Sequence, residues 1–346
     1  MPLPTDELID KIEHAHLRYI PETSKGYSRK KVGEHYQYFN TDDKKISEDK
    51  TIDRINKLRI PPAWKQVWIS PSATTHLQAT GFDDRGRKQY IYHQKWIELS
   101  QQTKFDKLVD FGLKLPKVRS RVRYDLSGKK PDLKRVVATI VWLLENTFIR
   151  IGNEEYAKEN DSFGLTTLRD KHVKVKGSEV KLNFKGKSGV MHSVEINNPK
   201  IAETLKMCIE LPGYEIFKYI DEKGDQHVID SGIVNEYLSE TMDDKFTAKD
   251  FRTWGGTVLS GTTLHKLGDY ENEKNLKEKV LESVKTVADH LRNTVAVCRS
   301  YYIHPVIFKS YEDKKLIPHF NYSFSSSSAG LHKDEYRVLT LLQKYS

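Results

Sequence analysis

Alternating apolar and polar residues predict short β-strands in two parts of the chain. In residues 1–100 the pattern occurs in HYQYF (35–39), QVWIS (66–70) and KQYIYHQKW (88–96). Further along it occurs in HVKVKG (172–177), VKLNF (180–184) and VMHSVEI (190–196). Five residues, Lys185 to Gly189, join the last two stretches. We therefore expect an antiparallel hairpin there, with Lys187 at or beside its tip.

Apolar residues at three- and four-residue spacing predict helices elsewhere. The clearest helix covers 133–148, has Asp132 as a plausible N-cap and leads directly into Arg150. Beyond residue 200 the pattern is mostly helical, and a Ser-rich stretch (323–330) is typical of a flexible loop. The predicted fold class is α+β: a small β-rich N-terminal domain, then a larger, mainly α-helical domain containing a small antiparallel sheet.

The segment 101–131 is polar and basic and contains two glycines and two prolines. It is predicted to be a basic linker region between an N-terminal domain, 1–100, and a C-terminal domain, 132–346. Positive charge is concentrated here: residues 101–150 hold 12 basic and 5 acidic side chains, whereas the whole chain of 346 residues has a net charge of +9. Such a local excess of positive charge is typical of a surface that binds a polyanion, most commonly nucleic acid. A solvated charged surface without a ligand would have the same composition.

Several classes of protein are excluded by what the sequence lacks. No apolar run approaches the roughly 20 residues of a membrane helix, and the acidic residues near the start leave no apolar core for a secretory signal. Cys208 and Cys298 are too few for a disulfide scaffold or a thiolate zinc cluster. The motifs HExxH, GxxxxGK[ST] and GxGxxG are absent. We expect a cytoplasmic protein with no membrane association, no cofactor and no metal.

Four segments resemble the type IB DNA topoisomerases, specifically the small bacterial and poxvirus-type enzymes. They are FIRIGNEEYAKENDSFGLTTLRDKHV (148–173), FKGKSGV (184–190), KDFRTWGGT (249–257) and NTVAVCRSYYIHP (293–305). The resemblance implies a monomeric enzyme that acts on double-stranded DNA through a covalent 3′-phosphotyrosyl intermediate, without ATP or a required metal. It makes Tyr302 the nucleophile, Arg150 and Arg252 the arginines that hold the phosphate, Lys187 the general acid and Asn293 a further phosphate contact.

Further DNA contacts are implied by the same resemblance. GFDDRGRKQYIYH (81–93) looks like the family's DNA-facing strand segment, which would make 1–100 a DNA-clamping domain that binds through Arg87, Lys88, Gln89, Tyr90 and Tyr92. Tyr156 and Lys249 match DNA-facing positions of the catalytic domain, 132–346. Tyr90 and Tyr92 would share one face of a strand, so they could also be core residues on the buried face of the sheet.

These residue types suit phosphoryl transfer without a metal. A free tyrosine is almost entirely protonated at pH 7, so its attack needs guanidinium groups that stabilise the charge of the transition state. Viral members carry histidine where this chain has Asn293; an amide can still donate to a phosphate oxygen but cannot act as an acid or base. An unbroken helix would put Asn293 and Tyr302 on opposite faces, so we expect a break, with Thr294 as the N-cap of the following helix.

Alternatives remain open at this point. Tyr301 is a second candidate nucleophile beside Tyr302. A tyrosine site-specific recombinase uses a related residue set, but its second arginine usually lies in an HxxR pattern, whereas Lys249 holds the histidine position here. A DNA-binding protein without enzymatic activity would need only the basic segment. A topoisomerase is favoured, and we expect it to be associated with the nucleoid.

Overall fold

The computed structural model describes residues 9, 12–13, 15–33, 35–84, 86–322 and 330–345. The chain divides into two compact units, Met1–Phe105 and Asp106–Ser346. Most of the predicted Ser-rich loop, residues 323–329, lies outside the described residues. In the part of the chain that is described, no helix is both long enough and apolar enough to cross a bilayer.

A five-stranded antiparallel sheet forms the first unit, in the order β2-β1-β3-β4-β5. Its strands are β1 (Tyr27–Val32), β2 (His35–Phe39), β3 (Lys65–Ile69), β4 (Leu77–Phe82) and β5 (Lys88–Tyr92), accompanied by helices α1 (Asp49–Lys57) and α2 (Gln94–Asp106). Ile91 of β5 packs against the core of this unit. Because side chains alternate along a strand, Tyr90 and Tyr92 lie on the opposite face, where their rings stack with centroids 5.9 Å apart.

The second unit is mainly helical. Its helices are α3 (Leu108–Asp125), α4 (Leu133–Thr147), α5 (Glu154–Asn160), α6 (Pro199–Glu210), α7 (Ser231–Met242), α8 (Ala248–Leu267), α9 (Glu273–Leu291), α10 (Val295–Tyr301), α11 (Pro305–Glu312), α12 (Leu316–Asn321) and α13 (Lys333–Tyr345). A three-stranded antiparallel sheet is formed by β6 (Val173–Lys176), β7 (Glu179–Lys185) and β8 (Met191–Asn197), and a separate pair by β9 (Lys218–Ile220) and β10 (Gln226–Val228). The predicted α+β class is confirmed, and Asp132 caps α4 by accepting a hydrogen bond from the backbone N–H of Arg135.

The segment expected to be a linker is largely helical. Apolar residues recur on α3 at three- and four-residue spacing and are buried: Leu108, Phe111, Leu115, Val118 and Val122. Gly112 lets α3 approach α8 closely, since a Cβ atom there would lie 2.5 Å from the Trp254 ring. Despite Pro116 within it, α3 is therefore part of the core of the second unit, and the expectation of a linker is wrong for these residues.

The positive charge of α3 is mostly paired. Lys114 bonds to Asp244 at 3.0 Å, Lys117 to Asp243 at 2.5 Å and Arg121 to Asp125 at 2.7 Å. Arg119 is nearly buried and pairs with two glutamates. Four of the five basic side chains of α3 are thus matched by nearby carboxylates, so the count of charges along the sequence overstates the open positive surface of this helix.

Candidate active site

Separate segments of the second unit meet at one cleft of about 410 Å³. The sequence-predicted residues that line it are Arg150, Tyr156, Lys187, Lys249, Arg252 and Tyr302. Four of these side chains are cationic, and none of the described residues that line the cleft is Asp or Glu. Within the described residues, no three His, Cys, Asp or Glu side chains are grouped to hold a metal ion. The cleft therefore has the composition of a phosphate site with a tyrosine in its wall.

Arg252 lies in α8 and is the most firmly held of these cations. Its side chain is buried and donates hydrogen bonds to the carbonyl oxygens of Phe148 and Leu291. Its Nε is also buried and has no hydrogen-bond partner among the described residues. Burial lowers the pKa of Arg252, the positive charge of Arg150 lowers it further, and Tyr302 opposes both effects. The guanidinium carbon lies 5.1 Å from the centroid of the Tyr302 ring.

Arg150 follows the end of α4. Phe148 closes that helix in the left-handed conformation, with φ 51° and ψ 21°. The carbonyl oxygen of Arg150 then accepts a hydrogen bond from the N–H of Leu165 at 2.9 Å. Glycine is required opposite, since a Cβ atom on Gly164 would lie 2.6 Å from that carbonyl oxygen. Close backbone packing thus fixes the position from which the Arg150 side chain enters the cleft.

Lys187 lies in the turn between β7 and β8, as predicted, and is exposed. The preceding residue, Gly186, is buried against the ring of His192: a Cβ atom on this glycine would lie 2.6 Å from Nε2. His192 stacks on Phe184, with centroids 4.7 Å apart. Burial lowers the pKa of His192 to about 4, and the charges of Arg150 and two other arginines contribute. A neutral imidazole therefore supports the turn that carries Lys187.

The predicted break before Tyr302 is confirmed. Helix α9 ends at Leu291, and Thr294 caps α10 by accepting a hydrogen bond from the N–H of Val297. Tyr302 is the residue directly after α10, and it lines the cleft, whereas Tyr301 does not. Asn293 is not among the described residues that line the cleft. Its Oδ1 accepts a hydrogen bond from the N–H of Thr294 at 3.0 Å, which leaves the amide NH₂ group to act as a donor.

The residues predicted to contact DNA from the first unit lie on β5 and on the turn before it. Arg87 forms an ion pair with Asp83 at 2.8 Å, and Gln89 donates to the same carboxylate at 3.0 Å. Lys88 pairs with Glu22 at 2.8 Å. Asp83 therefore orders two of these side chains, Arg87 in the turn and Gln89 on the edge strand β5, and their contact with DNA stays a prediction.

Other contributors to the site were not identified from the sequence. Asn153 and Phe163 line the cleft, and both lie within the long motif 148–173. Phe148 and Leu291 contribute through backbone carbonyl oxygens, for which residue types give no signal. His192 lies two residues into β8, where strand alternation predicts only that it faces the core.

Comparison with known proteins identifies relatives across most of the chain. The family described as eukaryotic DNA topoisomerase I, catalytic core, matches residues 93–319, and the family described as bacterial DNA topoisomerase IB, N-terminal domain, matches residues 35–83. The chain is 34% identical over 298 residues to DNA topoisomerase 1B of Acanthamoeba polyphaga mimivirus, which covers 83% of this chain and 88% of the relative. It is 23% identical over 262 residues to DNA topoisomerase I of Monkeypox virus, covering 73% and 78%.

Proposed function

Since the chain belongs to the type IB DNA topoisomerase family, we propose that it relaxes supercoiled duplex DNA by cutting and resealing one strand. The phenol oxygen of Tyr302 attacks a backbone phosphorus, and its proton passes to solvent. A bond from this oxygen to phosphorus forms, the bond from phosphorus to the 5′ oxygen breaks, and the strand remains attached through its 3′ phosphate. The free 5′ hydroxyl later reverses the reaction. One phosphoester replaces another, so neither ATP nor a required metal enters the proposal.

The observation that carries this proposal is the composition of the cleft. It holds two tyrosines and four cations, and none of the described residues that line it is a carboxylate, so an anion that enters the cleft meets attractive charge only. Arg252 keeps its charge at physiological pH, because arginine is not deprotonated in proteins. Two of its N–H groups are engaged by carbonyl oxygens, and the remaining donors can stabilise a pentacoordinate phosphorane. We assign the same role, stabilising the phosphorane, to Arg150, which enters the cleft from the segment after α4.

Lys187 is proposed as the general acid. Ordinary lysine has a pKa near 10.4 and therefore carries a proton that it can give to the departing 5′ oxygen. Its position at an exposed turn suits a group that must reach a bound strand. Asn293 would donate its amide N–H to a non-bridging phosphate oxygen, and Lys249 and Tyr156 would contact the neighbouring backbone.

The first unit is proposed to clamp the duplex through β5. Tyr90 and Tyr92 lie on the face opposite Ile91, which supports a role outside the core. Arg87, Lys88 and Gln89 would complete this contact. We further infer that the protein acts as a monomer, since a single chain supplies every side chain that the proposed reaction uses. Because its substrate would be chromosomal DNA, we also infer that it acts in the cytoplasm, on the nucleoid.

A plasmid relaxation assay tests the proposal. Negatively supercoiled plasmid is incubated with the protein in EDTA and without ATP, and a ladder of relaxed topoisomers is expected. Tyr302→Phe should abolish the ladder, whereas the neighbouring Tyr301→Phe should retain it. A requirement for Mg²⁺ or ATP, or relaxation by Tyr302→Phe, would overturn the mechanism. Strand exchange between two specific sites would instead indicate a recombinase.

A further inference from the structure

A second cavity, of about 400 Å³, lies in the same unit, and Phe251, Trp254 and Gly255 of α8 line it. Its walls come from α3, α4, α8 and α9, and from α13 with the residues just before it. Apolar and aromatic side chains form much of the wall: Leu115, Phe148, Phe251, Trp254, Val258 and Leu259. A cavity of this size and character is typical of a site for a small organic molecule.

The charge in this cavity is opposite to that of the cleft. Arg119 forms two hydrogen bonds with Glu335, at 2.8 and 2.9 Å, and a third with Glu145 at 2.5 Å. One cation therefore faces two carboxylates. A third carboxylate, that of Asp334, is paired with Arg337 at 2.9 Å. With both carboxylates ionised, the group around Arg119 has one negative charge in excess; His332 also lines the cavity and acts to lower the pKa of Glu145.

Glu145 is the less satisfied of the two carboxylates. Glu335 also accepts hydrogen bonds from the indole N–H of Trp254 and the backbone N–H of His332. Glu145 uses only Oε1, and its Oε2 accepts no hydrogen bond from the residues that the structure describes. Burial raises the pKa of Glu145, whereas Arg119 and its other partners hold the pKa of Glu335 below the usual value. A cation beside Glu145 would restore the balance of charge.

The other groups of the wall are compatible with a cation. Burial lowers the pKa of His290, and the charge of Arg292 lowers it further, so its ring is neutral at pH 7. Oγ1 of Thr262 is buried and has no partner among the described residues, so it can accept a hydrogen bond from a ligand N–H. Aromatic faces add favourable contact with positive charge.

We propose that this cavity is a second ligand site, which takes a compact organic ammonium ion with an aromatic or branched aliphatic body. The ammonium group lies against Glu145, and the apolar body fills the space between α4 and α8. A phosphate or a nucleic acid is excluded here by the negative charge, which separates this site from the cationic cleft.

The cavity shares one residue with the proposed active site. The Phe148 ring lines the cavity and packs on Gly255, where a Cβ atom would lie 2.2 Å from the ring. The carbonyl oxygen of the same residue accepts a hydrogen bond from Arg252. A ligand that displaces this ring also shifts the support of Arg252. This consequence rests on the proposed function, whereas ligand binding itself does not.

Calorimetric titration of the full chain at pH 7.5 tests the site with three probes of similar shape. They are 2-phenylethylamine, which is cationic, 2-phenylethanol, which is neutral, and 3-phenylpropionate, which is anionic. The amine should bind about tenfold or more tightly than the alcohol, because a hydrogen-bonded charge pair in a partly buried site is worth at least that factor. The anion should bind least. Equal binding of all three, or no binding of the amine at millimolar concentration, would overturn the proposal.

Two variants locate the binding. Glu145→Gln should lower the affinity for the amine about tenfold and leave the alcohol unchanged, whereas Glu195→Gln, at an exposed carboxylate of β8, should change neither. Leu259→Trp should fill the cavity and abolish binding of all probes, which keeps the test informative if Glu145→Gln does not fold. Unchanged amine binding in both cavity variants would contradict the assignment. The amine should also alter wild-type plasmid relaxation but not that of Leu259→Trp; an inactive protein that binds the amine would refute the proposed function alone.

Discussion

Nη2 of Arg252 donates a hydrogen bond to the carbonyl oxygen of Leu291 at 2.9 Å. That carbonyl belongs to the last residue of α9, directly before the turn that leads to Asn293. Through Nη1 the same guanidinium also donates to the carbonyl oxygen of Phe148, which closes α4 two residues before Arg150. One buried side chain thus ties together the ends of two helices that deliver proposed site residues.

Arg252→Lys is expected to disrupt this arrangement. A lysine ammonium keeps the charge but cannot reproduce the planar fork of two directed donors. We expect the rate of DNA cleavage to fall by about a hundredfold or more and the free energy of unfolding by about 1–3 kcal/mol. Single-turnover cleavage and urea unfolding measure the two effects. Arg299→Lys, at an exposed position on α10, is the matched control. Equal changes in cleavage rate and unfolding free energy in the two variants would refute the role of Arg252 in holding the two helix ends.

Gly255→Ala tests the contact beneath Phe148. The added methyl group would lie 2.2 Å from the Phe148 ring, so the ring and its carbonyl oxygen must move. We expect a stability loss of about 1–3 kcal/mol, typical of overpacking, together with slower cleavage. Gly261→Ala in the same helix meets its nearest neighbour, the Phe320 ring, at 3.1 Å and should affect cleavage little. Unimpaired cleavage by a folded Gly255→Ala protein would show that Arg252 does not depend on this contact.

Gly186→Ala tests the support of Lys187. The backbone of Gly186 has φ −94°, which alanine tolerates, so the expected effect comes from the clash with His192 alone. We expect slower cleavage with unchanged affinity for noncleaved DNA, because the turn that carries the proposed general acid is displaced. The double variant Gly186→Ala/His192→Ala removes the clash and should recover part of the rate. A double variant slower than the product of the two single effects would contradict this steric account.

Stability should fall in mild acid. Burial lowers the pKa of both His192 and His304 to about 4, whereas an unfolded histidine titrates near 6.5. As the pH falls from about 6.5 toward about 4, the unfolded chain binds protons that the folded protein does not. Stability is therefore present above pH 6.5 and is lost through this window, by about 2 kcal/mol per histidine at pH 5.

Urea unfolding at pH 7.5 and pH 5 measures this loss in the wild type and in His304→Asn. The asparagine keeps an acceptor for the N–H of Val306, which His304 caps, but does not titrate. The variant should lose less stability between the two pH values. An identical loss in both proteins would mean that His304 titrates normally in the folded state.

Much of the fold could be predicted because the core-facing pattern was simple. Strand β2 has the bounds that alternation indicated, His35–Phe39. Helix α3 was missed although its apolar residues recur regularly, because Pro116 and the basic composition favoured a linker. Tertiary packing against Trp254 outweighs those local signals. Strand β4 is buried on both faces and so shows no alternation.

The candidate site was predictable in its residue types but not in its support. Geometry alone predicted the break before Tyr302, since Asn293 and Tyr302 could not share one helical face. The carbonyl oxygens that hold Arg252 have no counterpart in the sequence pattern. Arg119 was counted as open positive charge in the basic segment, but it is paired with Glu335. That partner lies 216 residues away, and composition does not reveal pairing at such a separation.

The most direct test is the identity of the residue that becomes linked to DNA. A nicked duplex whose short fragment with the new 5′ hydroxyl dissociates after cleavage traps the covalent complex, and mass spectrometry of the digested protein locates the adduct. The proposed mechanism predicts a nucleotide attached to Tyr302, no adduct in Tyr302→Phe and a normal adduct in Tyr301→Phe. An adduct on Tyr301, or one that persists in Tyr302→Phe, would contradict it.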